Sequence, residues 1–134
     1  MIIIFDVDGV LIDVTKSYHY SIKDTVSYFT GKEVPKEELL DIKFSFNINN
    51  DWDASVAGII YAMSGLDLRR FKQMFEPYSN SLGGMYEFAL GKGINLPQYN
   101  KLIEIFEDFY HRYREREEMI FSHDILERLT ERLT

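Results

Sequence analysis

The chain has 134 residues, of which 46% are hydrophobic and 28% charged, an ordinary globular composition that excludes a disordered polymer. Its formal net charge of −7 argues against a nucleic-acid or anionic-membrane surface, which would need clustered Lys and Arg, and no apolar run approaches membrane-spanning length. Cysteine is absent, so no disulfide or thiolate metal site is available, which suits a reducing cytoplasm.

The first thirteen residues read MIIIFDVDGVLID. Ile2 to Phe5 form a continuous β-branched and aromatic run, the pattern of a strand buried on both faces of a parallel sheet. The run is too short for a signal peptide. Asp6, Asp8 and Gly9 follow at once, where open α/β sheets place their chemistry, beyond the carboxyl ends of the strands. Two carboxylates there call for a divalent cation, and Mg²⁺ is expected on Asp6 and Asp8, since it is held by one or two carboxylates and completes its shell with water and phosphate. By itself the Asp-x-Asp-Gly pattern also describes a turn or a calcium loop.

Asp6-Val7-Asp8-Gly9-Val10-Leu11, after an apolar strand, resembles the first motif of the haloacid dehalogenase superfamily. The resemblance implies an α/β fold with Asp6 as the nucleophile that becomes an aspartyl-phosphate and Asp8 as general acid and base. The chemistry is consistent with the spacing. A cation must screen the phosphate for Asp6 to attack, and a neighbouring carboxylate helps to keep Asp8 protonated. Gly9 permits close approach of the chain, so backbone amides around Val7, Asp8 and Gly9 are expected to bind phosphate.

From Tyr18 the period becomes helical. Tyr18, Ile22, Val26 and Phe29 share a face, and Gly31 is placed to end the helix in a left-handed cap. Val10 to Thr15 is then a connection and a hinge. Pro35, with Glu37 and Glu38 behind it, starts a short helix reaching about Ile42 or Phe44. Asn50 or Asp51 can cap the next helix, whose predicted apolar face is Val56, Ile59, Ile60 and Met63. Asn49-Asn50-Asp51-Trp52-Asp53, with Lys43 before it, also resembles a segment in the helical cap of one phosphatase-like subgroup of the same superfamily. That resemblance implies a substrate-facing role for Lys43, Asn49, Asn50 and Trp52, against plain capping.

Gly65 interrupts the pattern, and a helix resumes from Leu66 to Tyr78 with Leu68, Phe71, Met74 and Phe75 on one side. Ser79 to Gly84 reads as a loop, and Gly91-Lys92-Gly93 as a second one without phosphate-loop spacing. Pro97 opens a helix carrying Leu102, Ile105, Phe106, Phe109, Tyr110 and Tyr113, an aromatic stripe expected to pack between helices. Arg112 to Glu118 is a solvated helix end or a second hinge. A short apolar return at Met119 to Phe121 and a last helix through Ile125, Leu126, Leu129 and Leu133, capped by Ser122 or Asp124, are expected after it. His19, His111 and His123 lack metal-ligand spacing.

The resemblance divides the chain into residues 1–14 as nucleophile strand and loop, 15–118 as helical cap, and 119–134 as return linker and first helix back toward a core. The chain is thus mostly α, with one N-terminal strand and an incomplete core sheet. The superfamily's later motifs, a Thr or Ser, a Lys and a terminal acidic pair, have no candidate here and are expected beyond Thr134. The implied function is a Mg²⁺-dependent hydrolase, a phosphomonoester phosphatase acting on a small phosphorylated metabolite such as phosphoglycolate, with this chain alone expected to be inactive. The alternative is a non-catalytic helical interaction module or a subunit of a split phosphatase. In either case an unpaired apolar strand needs cover, so a homo-oligomer or a companion chain is expected over residues 2–5.

Overall fold

Small residues in the middle of one helix decide how the others can approach it. The computed structural model describes residues 4–7, 10–13 and 16–114, with side chains from Tyr18 onward. Two strands come first, β1 (Ile4–Val7) and β2 (Val10–Asp13), followed by α1 (Lys16–Thr30), α2 (Lys36–Ser45), α3 (Asp51–Ser64), α4 (Leu68–Phe75), a 3-10 turn (Glu76–Tyr78), α5 (Leu82–Gly91) and α6, described over 99–114. Residues 115–134, with the expected apolar return and last helix, lie outside the described residues, as do Asp8 and Gly9.

α3 is the axis of the body. Ala54 through Ile60 are all buried, so this stretch is enclosed on every side instead of presenting the single stripe expected from Val56, Ile59, Ile60 and Met63. Met63 is in fact 43% exposed. Ala54, Ser55, Ala57 and Gly58 let neighbouring backbones come close, and α3 packs against α1, α2, α4 and α5. At Gly58 a Cβ would stand 2.8 Å from Leu39 Cδ2 and 2.8 Å from Val26 Cγ2, so α1 and α2 both close on the one position without a side chain.

The helix ends follow their residues. Gly31 and Gly65 take φ of 67° and 71°, the left-handed conformation that stops α1 and α3 and that a side chain would strain. Asn50, Asp67 and Ser81 cap α3, α4 and α5, their side chains accepting from the amides of Asp53, Arg70 and Gly84. α5 corrects the sequence reading, which took Ser79 to Gly84 as loop. Gly84 is already helical, and its missing Cβ lets it lie against the Tyr78 carbonyl, where a Cβ would meet the oxygen at 2.4 Å. Around it, Phe71 and Phe75 stack at 4.7 Å and Phe88 meets Phe75 edge-on at 5.3 Å, locking α4 to α5.

The first strand was expected in a parallel α/β sheet. Instead β1 pairs antiparallel with β2, in the register Ile4↔Asp13, Phe5↔Ile12, Asp6↔Leu11 and Val7↔Val10. Val10–Asp13, within the segment expected as connection and hinge, is therefore the second strand of a hairpin. These two are the only strands among the described residues, and the fold is a helical body with a small hairpin, not a haloacid-dehalogenase-like α/β sheet. The physical reason lies in spacing. Two apolar runs separated by two residues, Asp-Gly here, can satisfy each other's backbone groups locally, which is the least costly route for a strand with no sheet to join.

Gly58→Val forces two core methyls apart, and equilibrium urea unfolding is expected to show a loss of about 1–3 kcal/mol with secondary structure retained.

Candidate functional site

The loop between α2 and α3 brings together all four residues singled out in the helical body. Lys43, in the last turn of α2, makes a half-buried ion pair with Asp51 at the start of α3. Asn50 caps α3, its Oδ1 accepting from the Asp53 amide at 2.8 Å and its Nδ2 donating to Asp53 Oδ2 at 3.1 Å. Trp52 is half-buried and donates its indole N–H to Glu107 Oε1 at 3.1 Å, tying α3 to α6. Asn49 is exposed.

Two further residues, not visible in the sequence, complete the group. Tyr99 donates its hydroxyl to Asp53 Oδ1 at 2.7 Å, and the Tyr86 hydroxyl lies within the field of the same carboxylate. Burial first, and then the Asp53 hydrogen bond, push the Tyr99 phenol well above its ordinary range; burial and then Asp53 raise Tyr86. His111 Nε2 stands 3.8 Å from Glu107 Oε2. No spacing rule could find this set, because Trp52 and Glu107 are 55 residues apart and Asp53 and Tyr99 are 46 apart.

Chemically, the arrangement is a set of cross-ties. Asp53 accepts from Asn50 on one oxygen and from Tyr99 on the other, so both of its oxygens are engaged. Tyr99, held protonated, serves as a donor, and the Lys43 ammonium is neutralised by Asp51. Two open depressions among the described residues lie elsewhere. One of about 460 Å³ is bounded by Ser45, Phe46, Asn47, Glu76, Pro77, Ser79 and Asn80; another of about 500 Å³ runs from Pro77 to Glu87 along the start of α5. Neither is lined by Lys43, Asn49, Asn50 or Trp52.

Of the expected catalytic residues, Asp6 alone lies among the described ones. Asp6 and Val7 sit inside β1, opposite Leu11 and Val10, and not beyond the end of a buried strand. Asp8 and Gly9 lie outside the described residues, and so does the carboxylate of Asp6, so the Mg²⁺ expectation falls there as well. Among the described residues no group of three or more His, Cys, Asp or Glu is gathered to hold a metal. No helix among them is long and apolar enough to cross a membrane.

Comparison with known proteins gives the haloacid dehalogenase resemblance no support. The chain matches no known family's sequence profile, and no solved structure matches it. An imidazoleglycerol-phosphate dehydratase of Phytophthora nicotianae is 28% identical over 89 residues, covering 60% of this chain. The chain spans about a fifth of that relative's length, the aligned part being 20% of it. The assignment to a magnesium-dependent hydrolase or phosphatase is therefore corrected, since the described residues hold a two-stranded hairpin and no catalytic sheet, and no metal-holding group.

Asn50→Ala and Tyr99→Phe are each expected to cost about 1 kcal/mol of stability, with less than additive loss in the double variant because both act through Asp53. The phenols also set a pH dependence. Tyr110 is pushed up to about 12, by burial and then by its hydrogen bond to Tyr18. A phenol with a folded-state pKa above its unfolded value near 10 stabilises the fold below that value and loses the contribution as pH rises through the folded one. Stability is therefore expected to fall between about pH 10 and 12. Urea unfolding at stepped pH, read alongside tyrosinate absorbance, checks this, and Tyr110→Phe should flatten part of the slope.

Proposed function

We propose that the chain is a non-catalytic helical interaction module whose rigid body is residues 16–114. The observation that carries this reading is the clasp between the first turns of α1 and the last described turns of α6. Tyr18 stacks on Tyr110 at 4.5 Å with their hydroxyls 3.1 Å apart, Tyr20 lies 5.6 Å from Tyr113, and the Tyr113 hydroxyl donates to Asp24. The chain thus enters and leaves the helical body at neighbouring points, the geometry of a unit carried on two connections and able to act as one rigid part.

Two features support it. The ionisable groups gathered between α2, α3 and α6 are spent on each other as cross-ties and hold the body in one shape. The similar stretch of the Phytophthora nicotianae dehydratase is a fifth of a longer polypeptide, as a segment carried within a larger protein would be. The partition into 1–14, 15–118 and 119–134 follows the same division, and a cysteine-free module suits the cytoplasm. Its partner is engaged through the segments outside the helical body, as a homo-oligomer or a companion chain over the N-terminal strand.

The test is excision. Residues 16–114 alone are expected to unfold in one cooperative transition and to sediment as a monomer, whereas the complete chain associates. Loss of cooperative unfolding in the excised fragment would refute the module.

A further inference from the structure

The hairpin register sorts its residues onto two faces. Successive residues of a strand alternate sides and directly paired residues share one, so Phe5, Val7, Val10 and Ile12 fall on one face and Ile4, Asp6, Leu11 and Asp13 on the other. One face is thus wholly apolar and the other carries both carboxylates. Val7 and Val10 close a two-residue connection as a hydrogen-bonded pair, and pairing alternates along the ladder. The amides and carbonyls of Leu11 and Asp13 accordingly turn to the outer edge of β2, and those of Ile4 and Asp6 to the outer edge of β1. Two strands are marginal in water, and stability of their own needs a third or more with a shared apolar face. Among the described residues the sheet has two.

We propose that the edge of β2 binds a second copy of this chain, antiparallel, with the two-fold axis at Leu11. This rests on the interaction-module reading and names its partner. The choice of edge and axis follows from where the carboxylates fall. A two-fold at Leu11 sets Leu11 opposite Leu11 and Val10 opposite Ile12 of the second copy, and sends each Asp13 past the end of the second copy's β2. A two-fold at Ile12 would set Asp13 against Leu11. On the β1 edge, a two-fold at Asp6 opposes two like charges, and one at Phe5 sets Asp6 against Ile4. Of these axes, the one at Leu11 alone sets no aspartate of β1 or β2 against another or against an apolar residue of the strands. It also preserves the faces, because an axis through a residue and normal to the sheet leaves Phe5, Val7, Val10 and Ile12 of both copies on one side. The result is a four-stranded sheet, β1-β2-β2-β1, with one continuous apolar face and with the amides and carbonyls of Leu11 paired.

The absence of cysteine gives a direct test on the complete chain. Residues opposed across an antiparallel hydrogen-bonded pair have Cα atoms about 5.5 Å apart, within reach of a disulfide. Leu11→Cys is expected to give a disulfide-linked dimer on mild oxidation, while Ile4→Cys on the β1 edge stays single on a denaturing gel. Leu11→Lys places like charges across the axis and should turn the sedimenting dimer into a monomer with its helical circular dichroism unchanged. A wild-type chain that stays monomeric throughout the micromolar range overturns the proposal. So does readier linkage of the Ile4→Cys variant than of the Leu11→Cys variant, or a dimer indifferent to Leu11→Lys, which would put another surface or another chain at the interface. The module reading stands or falls separately, on whether residues 16–114 fold alone.

Discussion

Everything in the helical body depends on how closely α1 and α2 can approach α3 at Gly58. With Val26 and Leu39 methyls both 2.8 Å from where a Cβ would be, the three helices share one contact point, and a larger residue there would push two of them outward together. Because interiors are packed like crystals, that displacement would spread to Ile22, Ile59 and Ile60, which are fully or almost fully buried around the same crossing. α3 can be enclosed because it contributes little bulk of its own between Ala54 and Gly58, so its neighbours supply the volume.

A second layer of order comes from polar ties at the rim of that core. Lys43 to Asp51, Asn50 and Tyr99 to Asp53, and Trp52 to Glu107 connect the α2–α3 loop to α3 and α6. Individually these are modest contributions, since folding exchanges them for bonds to water. Their effect is directional. Dispersion holds helices together with little preference for rotation, whereas a hydroxyl or indole that reaches one carboxylate fixes the angle at which α6 lies against α3. The Tyr18–Tyr110 stack and the Tyr113 bond to Asp24 do the same for α6 against α1, which is why entry to and exit from the body lie together.

Hairpin and helical body answer to different constraints. The body satisfies its backbone groups within its helices and buries its stripes internally. The hairpin pairs one edge of each strand, and two strands alone are marginal in water. The dimer proposed through β2 would pair its outer edge as well, without opposing charges.

Much of the body was legible from residue order, for local reasons. The stripe Tyr18, Ile22, Val26 and Phe29 locates α1, Gly31 ends it in a left-handed cap, and Pro35 with two acids behind it opens α2, because each signal acts within a turn or two of its own position. The cap of α3 is narrowed on the same ground to Asn50 or Asp51, and in the structure it is the Asn50 side chain that takes the Asp53 amide. What the sequence by itself could not decide was pairing at a distance. MIIIFDVDGVLID is compatible with the centre of a parallel sheet or with a hairpin, and only the tertiary structure, in which β1 lies against β2, chose between them. α5 escaped notice because Gly83 and Gly84 lower helix propensity, yet contact with the Tyr78 carbonyl and the Phe71–Phe75–Phe88 cluster outweighs it. Glu107, Tyr99 and Tyr86 join the α2–α3 loop through contacts between residues far apart in the chain, 55 positions for Glu107 and 46 for Tyr99, and such contacts exist only after the helices have packed. Local periodicity and capping are written in neighbouring residues; partners across the fold are set by which helices the buried crossing at Gly58 brings together.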